Sequence, residues 1–169
     1  MAALPRQLKN YNLFHNGYSF LGQIKSLTRP KLARKMESYR GGGMDRGVKI
    51  DMGGEDLEMS WNAGGVMEEV RRQYGAASHD ALELRYAGAF EREDGTTDAV
   101  EIYVRGRHEE IEAGEDEPGK ASEEKVKTAL SYYREVINGV DVIEIDVLGF
   151  VFIVDGVDRL QAQRDILGA

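Results

Sequence analysis

The sequence predicts an α+β domain dominated by antiparallel strands, folded as a barrel or sandwich, with one short internal helix and a C-terminal helix. Apolar residues alternate with polar ones along much of the chain, which is the spacing of half-buried strands. Tight-turn dipeptides such as Asn16-Gly17 and Asn138-Gly139 interrupt this alternation. The 169 residues suit one domain spanning 1–169, large enough to bury a core.

The first half of the chain predicts a hairpin followed by an extended segment. Residues 12–23 read as a hairpin turning at Asn16-Gly17, and after Pro30 we expect residues 31–47 to form a long extended loop. Apolar residues then alternate on even positions up to Met52 and on odd positions from Leu57. This change of phase predicts one long strand over 48–61 with a bulge at Gly53-Gly54.

The middle of the chain predicts a helix, a hairpin and a charged loop. Helical spacing covers residues 65–74 and ends at Gly75. Residues 82–107 form the clearest hairpin, with its turn at 93–97. Residues 109–117 contain six acidic side chains and no basic one, so 109–121 is interpreted as an acidic loop.

The last third predicts a strand from Val126, a turn at Asn138-Gly139 and a returning strand over 140–147. Residues 150–154 are apolar on both faces, which requires burial on two sides. A final helix is predicted over 157–167, capped by Asp155 and ended by Gly168.

Composition excludes several classes of site. There is no cysteine, which removes disulfides, thiol nucleophiles and cysteine-based zinc sites. Residues 1–9 lack the apolar run of a signal peptide, and no stretch approaches the ~20 apolar residues of a membrane helix, so we expect neither general export nor membrane insertion.

Charge is divided unevenly along the chain. Residues 1–50 contain ten basic and two acidic side chains, whereas the whole protein has a net charge of −8. Nucleic-acid binding by the basic part is one interpretation, but its residues are scattered and the whole chain repels phosphate. Complementary patches that favour head-to-tail contact between copies are the preferred interpretation, with an ordinary solvated surface as the alternative.

No catalytic, cofactor-binding or metal-binding residue is predicted. His15, His79 and His108 lack metal-ligand spacing and are interpreted as surface residues. The glycines at 41–43 lack the Gly-Lys-Ser/Thr ending of a phosphate loop, and residues 94–98 lack the spaced ligands of a calcium loop. A hydrolase or a monomeric binding module remain alternatives, although no convergent catalytic site is evident.

Several short sequence motifs, taken in their order along the chain, resemble those of one known family. They are Asn12-Leu13-Phe14, Leu27-Thr28-Arg29-Pro30, Tyr39-Arg40-Gly41-Gly42-Gly43-Met44-Asp45, Ser131-Tyr132-Tyr133 and Gly156-Val157-Asp158-Arg159-Leu160. Together they resemble the major tail tube proteins of contractile-tailed phages and R-type tailocins, which are related to the tube proteins of type VI secretion. A secretion-system tube is therefore a further alternative.

The resemblance implies a structural protein with no cofactor. Hexameric rings would stack into a tube inside a contractile sheath and enclose a channel for DNA passage or membrane puncture. Partners would be other copies of the chain, the sheath protein, baseplate and tail-terminator proteins, and DNA that passes without specific binding. The location would be a phage tail or a tailocin particle, assembled in the cytoplasm of the bacterial host.

Two sets of residues are predicted to serve assembly. Ring stacking is assigned to the basic and glycine-rich segment, with the acidic loop of the next ring as its expected neighbour: Lys31, Arg34, Lys35, Arg40, Gly41, Gly42, Gly43, Met44 and Asp45. Channel lining is assigned to acidic side chains on the hairpin of residues 82–107, because a conducting lumen should not hold phosphate: Glu83, Glu91, Glu93 and Glu101.

Overall fold

The computed structural model describes all residues, 1–169, as twelve strands and two short helices. The strands are β1 (Gln7–His15), β2 (Tyr18–Ser19), β3 (Ile24–Thr28), β4 (Arg34–Tyr39), β5 (Val48–Gly54), β6 (Leu57–Ala63), β7 (Leu82–Glu91), β8 (Thr97–Ala113), β9 (Glu124–Ile137), β10 (Val140–Asp146), β11 (Val151–Val154) and β12 (Val157–Asp158). The helices are α1 (Glu68–Arg72) and α2 (Gln161–Leu167). The expected fold class, mainly antiparallel with two helices, is confirmed.

Ten of the strands form one antiparallel sheet that branches at β9. The main path runs β12-β11-β10-β9-β8-β7-β1-β2. The second half of β9 pairs with β10, whereas its first half pairs with β6, which in turn pairs with β3. β8 pairs with β9 along nearly its whole length, so these two strands belong to both layers of the sheet. This branching explains the barrel-like sandwich.

The core lies between the two layers. Both supply fully buried side chains, among them Leu84, Tyr86 and Ile102 from the hairpin β7–β8 and Met59 and Trp61 from β6. The alternation predicted for the hairpin of residues 82–107 and for Leu57 to Trp61 is therefore confirmed. The positive φ angles of Asn16, Gly17, Asn138 and Gly139 likewise confirm both predicted turns.

The segment 31–61 differs from the prediction. Residues 34–39 form strand β4 rather than a loop, and β4 pairs only with β5. The predicted single long strand is two strands in different sheets, because the chain leaves the ribbon after Gly53, which has a φ of +114°, and Gly54. A change of hydrophobic phase can mark a transfer between sheets as well as a bulge.

The acidic segment also differs from the prediction. β8 continues to Ala113, so residues 109–113 are in a strand and only 114–123 are irregular. Glu110 and Glu112 stand opposite Lys127 and Lys125 on β9, and opposite charges in register stabilise a ladder. A run of acids without a base nearby in sequence can therefore be a strand when its partner supplies the bases.

Both helices are shorter than predicted. α1 occupies only 68–72 of the expected 65–74. Val157 and Asp158 form strand β12, so the last helix begins at Gln161, and Leu160 rather than Asp155 is its N-terminal flanking residue. Gly168 ends it in the left-handed conformation, as expected. The run 150–154 is only partly buried rather than enclosed on two sides. Neither helix has the length and apolar character needed to cross a bilayer.

Candidate functional site

The ribbon formed by β4 and β5, here called the arm (residues 34–54), is the most unusual surface of the molecule. It is hydrogen-bonded to no other strand. Tyr39 stands opposite Val48 and Glu37 opposite Ile50, so these residues share one face, and alternation adds Met52. Tyr39, Val48, Ile50 and Met52 are 45–56% exposed. An isolated two-stranded ribbon is marginal in water, which points to a partner for this face.

The three-glycine run closes the tip of the arm. The Met44 amide donates to the Gly41 carbonyl at 3.3 Å, and Arg40 Nε donates to the Met44 carbonyl at 3.0 Å. Gly43 has a φ of +80°, a conformation that disfavours any side chain. The glycines therefore build a compact turn, whereas the sequence predicted a long extended loop.

The arm gathers most of the residues predicted for ring stacking. Lys35 and the tip residues Arg40, Gly41, Gly42, Gly43, Met44 and Asp45 lie on it, and Lys31 is exposed just before it. Arg34 differs because it lies at the base. Its Nε donates to Asp51 at 2.9 Å, and its guanidinium lies 5.1 Å from the Phe152 ring centroid. Arg34 therefore anchors the arm to the body and is not free for a partner.

Beside the base of the arm is an open groove of about 1080 Å³. Its floor is apolar and comes from β6, β9, β10 and β11, including Leu130, Ile143, Ile145 and Phe152, with Val147 at its edge. Six acidic residues line it against one arginine, Arg34: Asp51, Glu55, Asp56, Glu58, Glu109 and Asp146. This groove was not predicted, because its residues come from segments far apart in sequence.

The acids predicted to line a channel lie on a face that also carries arginines. Glu83 stands opposite Arg105 on the outward side of β7–β8, and Glu101 accepts a hydrogen bond from Arg85 at 2.5 Å. That bond lowers the pKa of Glu101. Glu91 is exposed at the end of β7, and Glu93 is exposed in the hairpin turn. Glu101 is therefore neutralised by an ion pair with Arg85. The other three acids, Glu83, Glu91 and Glu93, form no ion pair within the chain.

Aromatic rings and arginines alternate across this same outward face. Arg85 lies 5.0 Å from the Phe14 centroid and 5.7 Å from that of Tyr103. Arg134 lies 5.4 Å from Tyr103, and Arg105 lies 4.0 Å from Tyr132. Cation–π contacts of this kind stabilise arginines in fixed positions on a sheet. The face is therefore mixed in charge.

Two of the three histidines are buried, which contradicts their interpretation as surface residues. His15 is 1% exposed and His108 is 5% exposed, and their Nε2 atoms lie 3.0 Å apart. Their positions reflect tertiary pairing, since β1 and β8 flank β7 and bring residues 93 positions apart into contact. His79 is exposed, as expected. No group of three or more potential metal ligands occurs in the structure.

The strand edges determine where another copy could add to the sheet. β7 and β8 each have a partner on both sides, so the hairpin of residues 82–107 has no free edge along its paired length. β1 is different, because β2 covers only Phe14 and His15. On the side away from β7, residues 7–12 have no strand partner. A second copy therefore cannot extend the sheet along this hairpin and would have to pair with another strand.

Comparison with known proteins identifies the family. A model of the family described as "Phage tail tube protein FII" matches residues 5–168. The tail tube protein of Escherichia phage P2 is 43% identical over 170 residues, covering 98% of this chain and 99% of its own. The major tail tube protein of Serratia phage KSP20 is 36% identical over 156 residues, covering 91% of this chain and 90% of its own.

Solved structures of contractile injection systems share the fold. A chain from the tube-terminating cap of the anti-feeding prophage has a TM-score of 0.60 at 10% identity, covering 81% of this chain and 93% of its own. A chain from a sheath–tube complex of an extracellular contractile injection system has a TM-score of 0.58 at 8% identity, covering 80% and 93%. These likenesses concern the fold, whereas the family match spans nearly the whole sequence. The chain belongs to the phage tail tube protein family, a family of structural proteins and not a class of enzymes.

Proposed function

We propose that this chain assembles into hexameric rings that stack into the inner tube of a contractile tail, with a central channel through which DNA passes. The observation that carries the proposal is the arm. It exposes an apolar face that its own chain leaves uncovered, on a ribbon too small to be stable alone. Polymerisation of identical copies is the simplest way to cover the same face on every copy.

Stacking is assigned to the arm. Two extended strands of about six residues project roughly 20 Å at the rise of an antiparallel strand, which is long enough to reach an adjacent ring. The turn from Arg40 to Asp45 would meet that ring first. Arg34 would keep the arm at a fixed angle through its contacts with Asp51 and Phe152. A turn held by hydrogen bonds loses less entropy on contact than a flexible loop would.

Closure of each ring is assigned to the free edge of β1. Residues 7–12 pair with β7 on one side and leave the other side open, so a neighbouring copy can add a strand there. Closing a ring removes the edge that would otherwise invite aggregation. The outward face of β7–β8, with Glu83, Glu91, Glu93 and Glu101, would line the channel.

Other partners follow from the same assignment. Structurally similar chains occur in a sheath–tube complex, in a baseplate and in a tube-terminating cap. By analogy this tube would be covered by a sheath protein, begin at a baseplate and end at a terminator. It would be part of a phage tail or a related particle assembled in the bacterial cytoplasm.

Light scattering and negative-stain imaging of the purified chain test the proposal. We expect monomers to convert into rings and tubes as concentration rises. Lys9→Pro provides a variant of the β1 edge, because the register shift between Leu8 and Asn10 leaves Lys9 without a partner on β7. It should fold normally and form no rings. Ile102→Pro, in a ladder paired on both sides, should instead prevent folding. A wild-type chain that stays monomeric at every concentration would overturn the proposal.

A further inference from the structure

We infer that the acidic groove beside the arm base is the receptor for the arm of a second copy of this chain. The inference rests on the proposed tube assembly and names the two surfaces that join its copies. The groove and the arm are two uncovered apolar surfaces that lie side by side on one chain. Each copy would then both insert an arm and receive one, which is a head-to-tail contact.

Apolar character matches between the two surfaces. The arm face presents Tyr39, Val48 and Ile50, each about half exposed, while Met52 on the same face lines the groove of its own chain. The groove presents half-buried Ile143, Ile145 and Phe152 on its floor and Val147, which is 55% exposed, at its edge. A volume of about 1080 Å³ accommodates several side chains of this size. Covering both surfaces at once removes apolar area from water on each copy.

Charge is complementary as well. Lys35 and Arg40 form no ion pair within the chain, and Arg46 meets only its neighbour Asp45, at 3.7 Å. The groove carries six acids and one arginine, and Glu55, Asp56 and Asp146 form no ion pair within the chain. Basic groups on the arm therefore face unpaired carboxylates on the receptor. Such pairing steers association and fixes the orientation of the partner more than it adds affinity.

The groove is a better receptor than the acidic loop expected from the sequence. Glu110 and Glu112 are already opposite lysines of β9, so they offer little unpaired charge. Glu109 lines the groove itself, where Lys127 lies 3.9 Å away. The loop 114–123 has acids but no apolar surface beside them for Val48 or Ile50 to cover. Only the groove combines both properties.

Disulfide trapping tests the contact directly, because the natural chain has no cysteine. Two differently tagged variants, Ile50→Cys and Val147→Cys, would be co-expressed, assembled and mildly oxidised. A disulfide requires Cα atoms within roughly 7 Å. A mixed dimer on a non-reducing gel therefore shows that the arm of one copy lies in the groove of another. Lys49→Cys, on the opposite face of the arm, is the matched control with Val147→Cys. We expect at least a ten-fold excess of the mixed dimer for Ile50→Cys over this control.

The outcomes separate this inference from the proposed assembly. Tubes in the micrographs with no mixed dimer, or with equal yields from both arm positions, would overturn the inference and leave the tube intact. Neither tubes nor mixed dimer would overturn both. A mixed dimer from Ile50→Cys alone supports the groove as receptor whether the assembly stops at short oligomers or continues to tubes.

Discussion

The imidazole rings of His15 and His108 stack in the core with their Nε2 atoms 3.0 Å apart and their centroids 5.2 Å apart. Nδ1 of His108 lies 2.9 Å from the hydroxyl oxygen of Thr128, and Trp61 packs edge-on at 5.7 Å. One Nε2 must carry a proton and the other must accept it, so at least the accepting ring is neutral. Burial and the neighbouring ring lower the pKa of His108 to about 4, and burial lowers that of His15.

We predict that this pair makes folding stability fall between about pH 6.5 and pH 4. The unfolded chain binds protons near the ordinary histidine pKa of 6.5, whereas folded His108 does so only near 4, so the stabilisation is complete above pH 6.5 and is lost as pH falls. The free energy of unfolding should fall by on the order of 3 kcal/mol across this window, which is the energy equivalent of that pKa difference.

Urea unfolding at several pH values across this window measures the effect. His108→Gln should flatten the slope between pH 6.5 and 4, while exposed His79→Gln should leave it unchanged. Paired carboxylates such as Asp98 have lowered pKa values and lose their contribution only at still lower pH. An unchanged slope in His108→Gln would show that the pair does not control acid stability.

We predict that Gly106→Ala unfolds the monomer. A methyl group there would lie 1.9 Å from the backbone carbonyl oxygen of Ala129, at the register shift of β8 where the ladder passes between the two layers. Backbone atoms in a paired strand cannot move away, so the free energy of unfolding should fall by more than about 4 kcal/mol. Gly88→Ala is the matched control, because its methyl would meet only the side chains of Tyr86 and Phe90. Those rings can shift, and the cost should be about 1–3 kcal/mol. Thermal melts of equal stability for both variants would contradict this.

We predict that the unpaired acids of the outward face govern DNA passage. Replacing Glu83, Glu91 and Glu93 by lysine should leave tubes intact but slow genome ejection, most strongly at low salt, because each lysine exchanges with a phosphate counterion. Glu101→Lys should behave differently, since it breaks the ion pair with Arg85 and destabilises the fold. Lysines at Glu115, Asp116 and Glu117, in the loop after β8, control for net charge. Ejection equally fast in the triple variant and the wild type at low salt would place these residues outside the channel.

Local signals in the sequence account for the parts of the fold that depend on neighbouring residues. The hairpin of residues 82–107 and the turn at Asn138-Gly139 follow from alternation and backbone preference within a few residues, and both are confirmed. Burial of His15 and His108 depends on pairing across β7, and the strand character of 109–113 depends on lysines of β9. Neither long-range partner is visible in a local pattern.

Of the two candidate surfaces, the arm could be located from the sequence and the groove could not. The arm was located from its glycines and basic residues, although its hairpin form was missed because Pro30 and the glycine run suggested a loop. The groove could not be located at all, since β5, β6, β9, β10, β11 and α2 meet there only after the chain has folded. An apolar residue of a predicted strand, such as Ile145, can pack against the core and at the same time line an open groove.

We predict that deleting Gly41 to Gly43 leaves folded rings that cannot stack. The deletion removes the turn in which the Met44 amide donates to the Gly41 carbonyl, so the strands of the arm can no longer close in register at the tip. The body of the domain should melt at the wild-type temperature, because the arm pairs with no other strand. Deleting Pro118 to Lys120, in an exposed loop of the body, is the matched control and should preserve tubes.

Wild-type tubes should also shorten as salt rises. Exposed ion pairs contribute only about 0–1 kcal/mol each, but six contacts per ring interface repeat that energy, and salt screens all of them together. Tube lengths measured in micrographs at low and high salt report this dependence, with the glycine deletion giving single rings at both. Because the apolar part of the contact is not weakened by salt, wild-type tubes should shorten without vanishing. Tubes of normal length from the glycine deletion at either salt concentration would show that the arm does not join the rings.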